Sequence, residues 1–257
     1  MTVNERVNGE RLVVLGWGRA ILLQLAHPLV AAGVAEHSTF RATRASRYTR
    51  LHSTIQSMLA LTFGTPDQRQ AAIDRINGIH QRVHGTLQAG AGRFPAGTPY
   101  TATDPSLLVW VDATLRDTLP MAYELFVGPL TAEDRDSYCA ECDEVMAALG
   151  IAEGTRPRSV AELERYMASM VERGDIAVTD TARELAREVI APPLGRVLWP
   201  ASRVTRLATV GLLPPALRDA YGFRWTAGDD TGLHAWARRT RALRRRLPDR
   251  LARWATP

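Results

Sequence analysis

Helix punctuation and helical spacing of apolar residues run along almost the whole chain. Thr65, Pro66 and Asp67 place an N-cap, a first-turn proline and a first-turn acid ahead of an apolar stripe. In that stripe Ile73, Ile76, His80, Val83 and Leu87 recur at intervals of 3, 4, 3 and 4, which predicts one helix from Pro66 to about Gln88 with His80 pointing inward. The segment before it sets Leu51, Ile55, Met58, Leu59 and Thr62 on one face. Arg47, Arg50, Thr54 and Ser57 form a polar strip beside that face, which is either a cavity edge or a solvated surface. Asp104 and Pro105 open another helix, Thr131 a third that closes at Gly150, and Ser159 with Glu162 a capping box. A further helix, TDTARELAREVI, stops at Pro193. Strand signals are nearly absent: the only β-like run, LLVWV at 107–111, stands behind a helix cap. The pattern predicts an all-α fold, a single globular domain over 1–257 with roughly eight to eleven helices.

An apolar run near the N-terminus needs separate treatment. Arg6 and Arg11 precede it in the manner of a signal peptide, but Glu5 and Glu10 cancel their charge. Arg19, Gln24 and His27 interrupt it, and Pro28 sits in its middle. A membrane span needs roughly 20 nearly uncharged apolar residues. The run therefore predicts buried helix, no integral membrane segment and a cytoplasmic protein. Hydrophobic content of 46% and charged content of 23% agree with a soluble globular chain.

Charge changes the picture at one end only. Every basic residue is arginine, and the net charge is +5. Residues 238–253 carry eight arginines against one aspartate, or +7, so the rest of the chain sums to −2. An Arg-rich C-terminal helix is expected over 235–254, with Pro248 kinking or restarting it. Two readings of this tail stay open: a docked terminal helix with a solvated face, or a peripheral contact with an anionic membrane surface. No nucleic-acid-binding motif accompanies it, so no nucleic-acid partner is expected. Cys139 and Cys142 form a C-x-x-C without a second Cys or His pair at zinc spacing, and are expected to be ordinary helical thiols.

Five of the six histidines lie between 27 and 84: His27, His37, His52, His80 and His84. An inward His80 is either a satisfied core residue or an axial haem ligand, since one imidazole in an apolar wall is what haem proteins supply. His80 and His84, four residues apart, are also placed to clamp a metal, but no Glu-x-x-His or His-Glu-x-x-His pattern supports that. Pro28 predicts a bend after His27.

The ordered set AHPLVAAGVAEHS, RLHST, TFGT, IHQRVHG, YTATDPSLLVWVDATLRDT, AYELFVGPL and RDAYGFRW resembles the rubber-oxygenase catalytic-domain family. That family includes bacterial latex-clearing proteins and the fungal ER-bound oxygenase of mycophenolic acid biosynthesis, and the resemblance covers about residues 12–225. It implies a globin-like helical core holding haem b, and cleavage of an isoprenoid carbon–carbon double bond with O2. By motif, His80 corresponds to the proximal iron ligand, with His84 in reserve. Arg50 and Thr54 match the family's Arg-x-x-x-Thr element. Glu36 is the nearest match, by position, to an upstream acid that serves as a base; if semi-buried, its pKa would be raised. His27, His37 and Arg47 are further candidates for cofactor contact. Ser53 stands where latex-clearing proteins have a lysine. That difference, with the modest chain length, points to a small apolar substrate rather than rubber. The alternatives are a haem sensor or carrier without turnover, and a cofactor-free helical binding module.

Overall fold

The computed structural model describes residues 1–37, 44–190 and 199–254, with side chains described outside 44–51 and 199–203. The protein is predominantly helical. Among the described residues, α1 covers Val3–Asn8, a 3-10 helix Arg11–Gly16, α2 Trp17–Leu25, α3 Pro28–His37, α4 Arg44–Phe63 and α5 Pro66–His80. A hairpin follows, β1 at His84–Thr86 and β2 at Pro99–Thr101. Then come α6 Pro105–Phe126, α7 Ala132–Ala140, α8 Asp143–Ala148, α9 Val160–Glu172, α10 Asp180–Ile190, α11 Trp199–Gly211, α12 Pro215–Ala220, α13 Ala227–Arg244 and α14 Asp249–Ala252. Ten of these helices have nine residues or more, and the short pieces of four to six residues make up the remainder.

The long helix α6 is the axis of the fold, packed by the 3-10 helix, α2 and α13. Asp104 caps it, accepting from Ser106 N at 2.8 Å, and LLVWV lies inside it. Those β-branched and aromatic residues form helix because they bury Val109 and Trp110 on the core side. Leu22, Leu23, Trp110, Leu185, Leu213 and Tyr221 fill the centre of the core. The 3-10 helix lies close on α6 because its last residue, Gly16, has no side chain: a Cβ there would lie 2.7 Å from the Ala122 methyl. The chain turns sharply between α2 and α3, where Arg11–Leu25 and Pro28–His37 meet at 107°, as Pro28 predicts. No single helix among the described residues is long and apolar enough to cross a membrane.

Three local expectations are corrected. The helix predicted to run to about Gln88 ends at His80, because His84, Gly85 and Thr86 pair antiparallel with Thr101, Tyr100 and Pro99. Val83 and Leu87 reach the core from the hairpin instead, joining Leu29 and Tyr100. The Ser159–Glu162 box is half made: Ser159 Oγ accepts from Glu162 N, but the Glu162 carboxylate accepts from Arg158 N at 2.8 Å. The helix expected from Thr131 to Gly150 is α7 and α8, broken at Glu141 and Cys142, whereas the Arg-rich tail helix restarts after Pro248 as predicted, as α13 and α14.

Part of the tail's charge is spent on tying the chain ends together. Glu10 is 2% exposed and accepts from Arg244 Nε and Nη2, each at 2.7 Å, and from Arg253 Nη1 at 3.2 Å. Trp254 N donates to Gly9 O at 2.9 Å, and Arg241 Nε to Leu125 O at 2.8 Å. Arg238, Arg239, Arg245, Arg246 and Arg250 are exposed beside Leu243 and Leu251. Cys139 is buried, its thiol pushed up to about 11 chiefly by burial, and burial also raises Cys142. Both therefore stay protonated at neutral pH.

Candidate functional site

Helix α3 carries a candidate residue at each end. Its ten residues span about 15 Å at 1.5 Å per residue, so His27, just before the helix, and the Glu36–His37 pair belong to different neighbourhoods.

At the C-terminal end α3 packs on the hairpin. The contact is close at Gly33, where a Cβ would lie 3.3 Å from Val83 Cγ1. The hairpin register puts Tyr100 opposite Gly85, and the Tyr100 hydroxyl donates to Glu36 Oε2 at 2.6 Å. A side chain at position 85 would collide with both groups, its Cβ 2.6 Å from the Tyr100 oxygen and 3.0 Å from Glu36 Oε2. Burial, then the bond to Glu36, holds the Tyr100 hydroxyl well above its ordinary range, so it remains a donor. His37 Nε2 donates to the His84 carbonyl at 2.9 Å; a carbonyl only accepts, which assigns the proton to Nε2. The His37 ring lies 6.3 Å from the His84 ring and edge-on to Tyr100 at 6.5 Å. Glu36, His37 and His84 are thus brought together, with Tyr100 as a fourth member that sequence reasoning missed. Glu36 is exposed, not semi-buried.

His80 closes α5, four residues before His84, and so lies within about 14 Å of it by chain reach. It is half-buried, and its Nδ1 is sealed from water with no hydrogen-bond partner. Burial lowers its pKa, so the imidazole is neutral at pH 7. A neutral imidazole with an unsatisfied nitrogen is the donor type that an axial iron position needs. A two-histidine clamp is a different matter: His84 lies on a strand, so the helical i,i+4 geometry does not exist. No three His, Cys, Asp or Glu side chains among the described residues converge as a metal site.

Thr54 is exposed on α4, which packs on α5. On the same helix Ser57 Oγ accepts from Arg75 of α5 and donates to Ser53 O at 2.9 Å, so that part of the polar strip serves helix–helix contact. The side chains of Arg47 and Arg50 lie outside the described residues.

At the other end of α3, His27 is 3% exposed, its Nδ1 unpartnered and its pKa lowered to about 4, mainly by burial. The ring sits 5.1 Å from Phe94 and lines a cavity of about 520 Å³. Asp175, 1% exposed, lies beside it and accepts from both Arg93 Nε and Arg173 Nε. The sequence marks His27 as a candidate cofactor contact in an apolar run, but carries no hint of Arg93, Arg173 and Asp175 around it.

Comparison with known proteins adds the following. Residues 5–242 match the family described as ER-bound oxygenase mpaB/B'/Rubber oxygenase, catalytic domain. The chain is 25% identical over 210 residues to the uncharacterized proteins Mb2261 of Mycobacterium bovis and Rv2237 of Mycobacterium tuberculosis, covering 80% of this chain and 78% of each relative. No solved structure matches.

Proposed function

The chain belongs to the mpaB and rubber oxygenase catalytic-domain family, and from that premise we propose that it is a haem b-dependent oxygenase acting on an apolar small molecule, by oxidative cleavage of an isoprenoid C=C bond with O2. Membership itself supports an oxygenase at the level of the family. The observation that carries the finer reading is His80, a neutral imidazole with a buried, unpartnered nitrogen at the position the family motif marks. Haem, when bound, supplies O2 binding and redox chemistry that no side chain provides. His80 would hold it, and Arg50 and Thr54 from the Arg-x-x-x-Thr element would contact it. Glu36 is the base: Tyr100 occupies Oε2, leaving Oε1 to take a proton from the substrate. The Tyr100 bond fixes the orientation of the carboxylate. His37 and His84 stand beside that carboxylate as further polar contacts.

The test is the visible spectrum of the purified protein after haem reconstitution, in wild type, His80→Ala and His27→Ala. The expected result is a Soret band at roughly 400 nm that shifts or disappears in His80→Ala and survives in His27→Ala. A colourless wild type refutes haem binding; a band altered only by His27→Ala moves the ligand to the other end of α3. Glu36→Gln should retain the band and lose turnover of an isoprenoid substrate. Unchanged turnover in that variant removes the base.

A further inference from the structure

The cavity beside His27 is absorbed by nothing above. Its volume of about 520 Å³ lies within the usual size of small-molecule sites. Its walls are apolar, with Leu29, Phe94, Leu107, Val109, Tyr166 and Met170 from α3, the hairpin loop, α6 and α9. Two observations separate it from a packing gap. The first is His27, almost completely buried and lining the cavity, with Nδ1 lacking any partner. Native proteins leave few buried polar groups unsatisfied, so such a residue at a cavity wall is a candidate ligand contact. The second is the charge at the rim. Arg93 and Arg173 share the carboxylate of Asp175, and Asp104 lines the same cavity, so two arginines balance two aspartates. Arg173 is committed further, to Ser169 Oγ at 3.0 Å and Met170 Sδ at 2.9 Å. Arg93 bonds Asp175 through Nε alone and lies 4.9 Å over the Phe94 ring, leaving its two terminal nitrogens without hydrogen-bond partners among the described residues. The nearby Asp104 is turned to the N-terminus of α6, accepting from Ser106 N and Oγ.

We propose that this cavity binds a small amphipathic carboxylate, its carboxylate on the terminal nitrogens of Arg93 and its apolar body against Phe94, Leu107, Val109 and Met170, in a site separate from that of His80. The planar guanidinium fork fits a carboxylate in bidentate fashion. A single guanidinium with uncommitted terminal nitrogens matches a monoanion better than a dianionic phosphate. The Asp175 carboxylate, held from both sides, acts as a positioning residue that fixes the Arg93 side chain at the rim.

The test is calorimetric titration of the full chain with dodecanoate and with dodecan-1-ol. Three variants are compared, each first checked for cooperative unfolding: Arg93→Gln, Thr155→Trp and His80→Ala. Arg93 and Thr155 are both exposed lining positions, and in Arg93→Gln the buried Asp175 keeps its bonds to Arg173. Dodecanoate should bind saturably, about tenfold or more weakly in Arg93→Gln, the scale of a lost charge-assisted pair. Thr155→Trp should block both probes at the mouth, dodecan-1-ol should be insensitive to Arg93→Gln, and His80→Ala should leave dodecanoate binding intact. The proposal is overturned by absence of saturable dodecanoate binding, or by equal affinity in wild type, Arg93→Gln and Thr155→Trp. Loss of binding in His80→Ala alone also overturns it, by placing the carboxylate at the haem end. Because haem is read from the Soret band and this site from calorimetry, the two readings fail separately.

Discussion

Acid should destabilise this protein through His27, by an amount the structure sets. The imidazole has a value of 6.5 when unfolded and about 4 in the fold, where burial opposes its charge. Between those values the unfolded chain binds a proton that the native chain does not, so stability rises with pH across the interval. Stability from this group is fully present above about pH 6.5 and is lost as pH falls through about 4. The gap is worth about 3 kcal/mol at 1.36 kcal/mol per pH unit, a large share of a typical 5–15 kcal/mol total. Asp175 and Asp104 pull the value up and Arg93 pushes it down, but burial dominates. The assay is urea unfolding at about pH 7 and about pH 4, in wild type and in His27→Gln, whose side chain does not titrate. Wild type should lose about 3 kcal/mol more than the variant over that interval. Identical losses in the two proteins would refute the assignment of a buried, neutral His27, whatever the variant's stability at neutral pH.

Glu10→Gln should lower stability by about 2 kcal/mol. That is less than the 3–5 kcal/mol for a broken buried pair, because Arg244 and Arg253 can rehydrate and Arg244 keeps Asp249 at 2.9 Å. Thermal denaturation followed by circular dichroism should show a midpoint about 4–8 °C lower; an unchanged midpoint means the clamp is idle. Gly16→Ala should cost about 1–3 kcal/mol by forcing the end of the 3-10 helix away from α6, read by the same melt, and a neutral result would show that the contact has room to spare. A double-mutant cycle of Tyr100→Phe with Glu36→Gln should give a coupling of about 1 kcal/mol. Additive effects would mean that the 2.6 Å bond contributes nothing.

Much of the helical frame was legible before any coordinates. The Thr65 and Thr131 caps, the prolines opening α5 and α6, and the bend at Pro28 are all where the residues predicted them. The family was legible too, from ordered motifs rather than from any one residue. The stripe through Val83 and Leu87 misled because an apolar period of 3 and 4 also fits residues that reach the core from a hairpin. Only the pairing with Pro99–Thr101 ended the helix at His80.

The division follows from range. Caps, first-turn prolines and periodic faces act within three or four residues, so the sequence carries them without reference to the rest of the chain. The Tyr100–Glu36 bond spans 64 positions and the Glu10–Arg244 pair 234. The cavity beside His27 needs α3, the hairpin loop, α6 and α9 at once. Such contacts depend on how helices pack, and so do the depressed pKa of His27 and the unpartnered nitrogen of His80. Desolvation and the absence of a partner are properties of the packed interior, which only the tertiary structure creates.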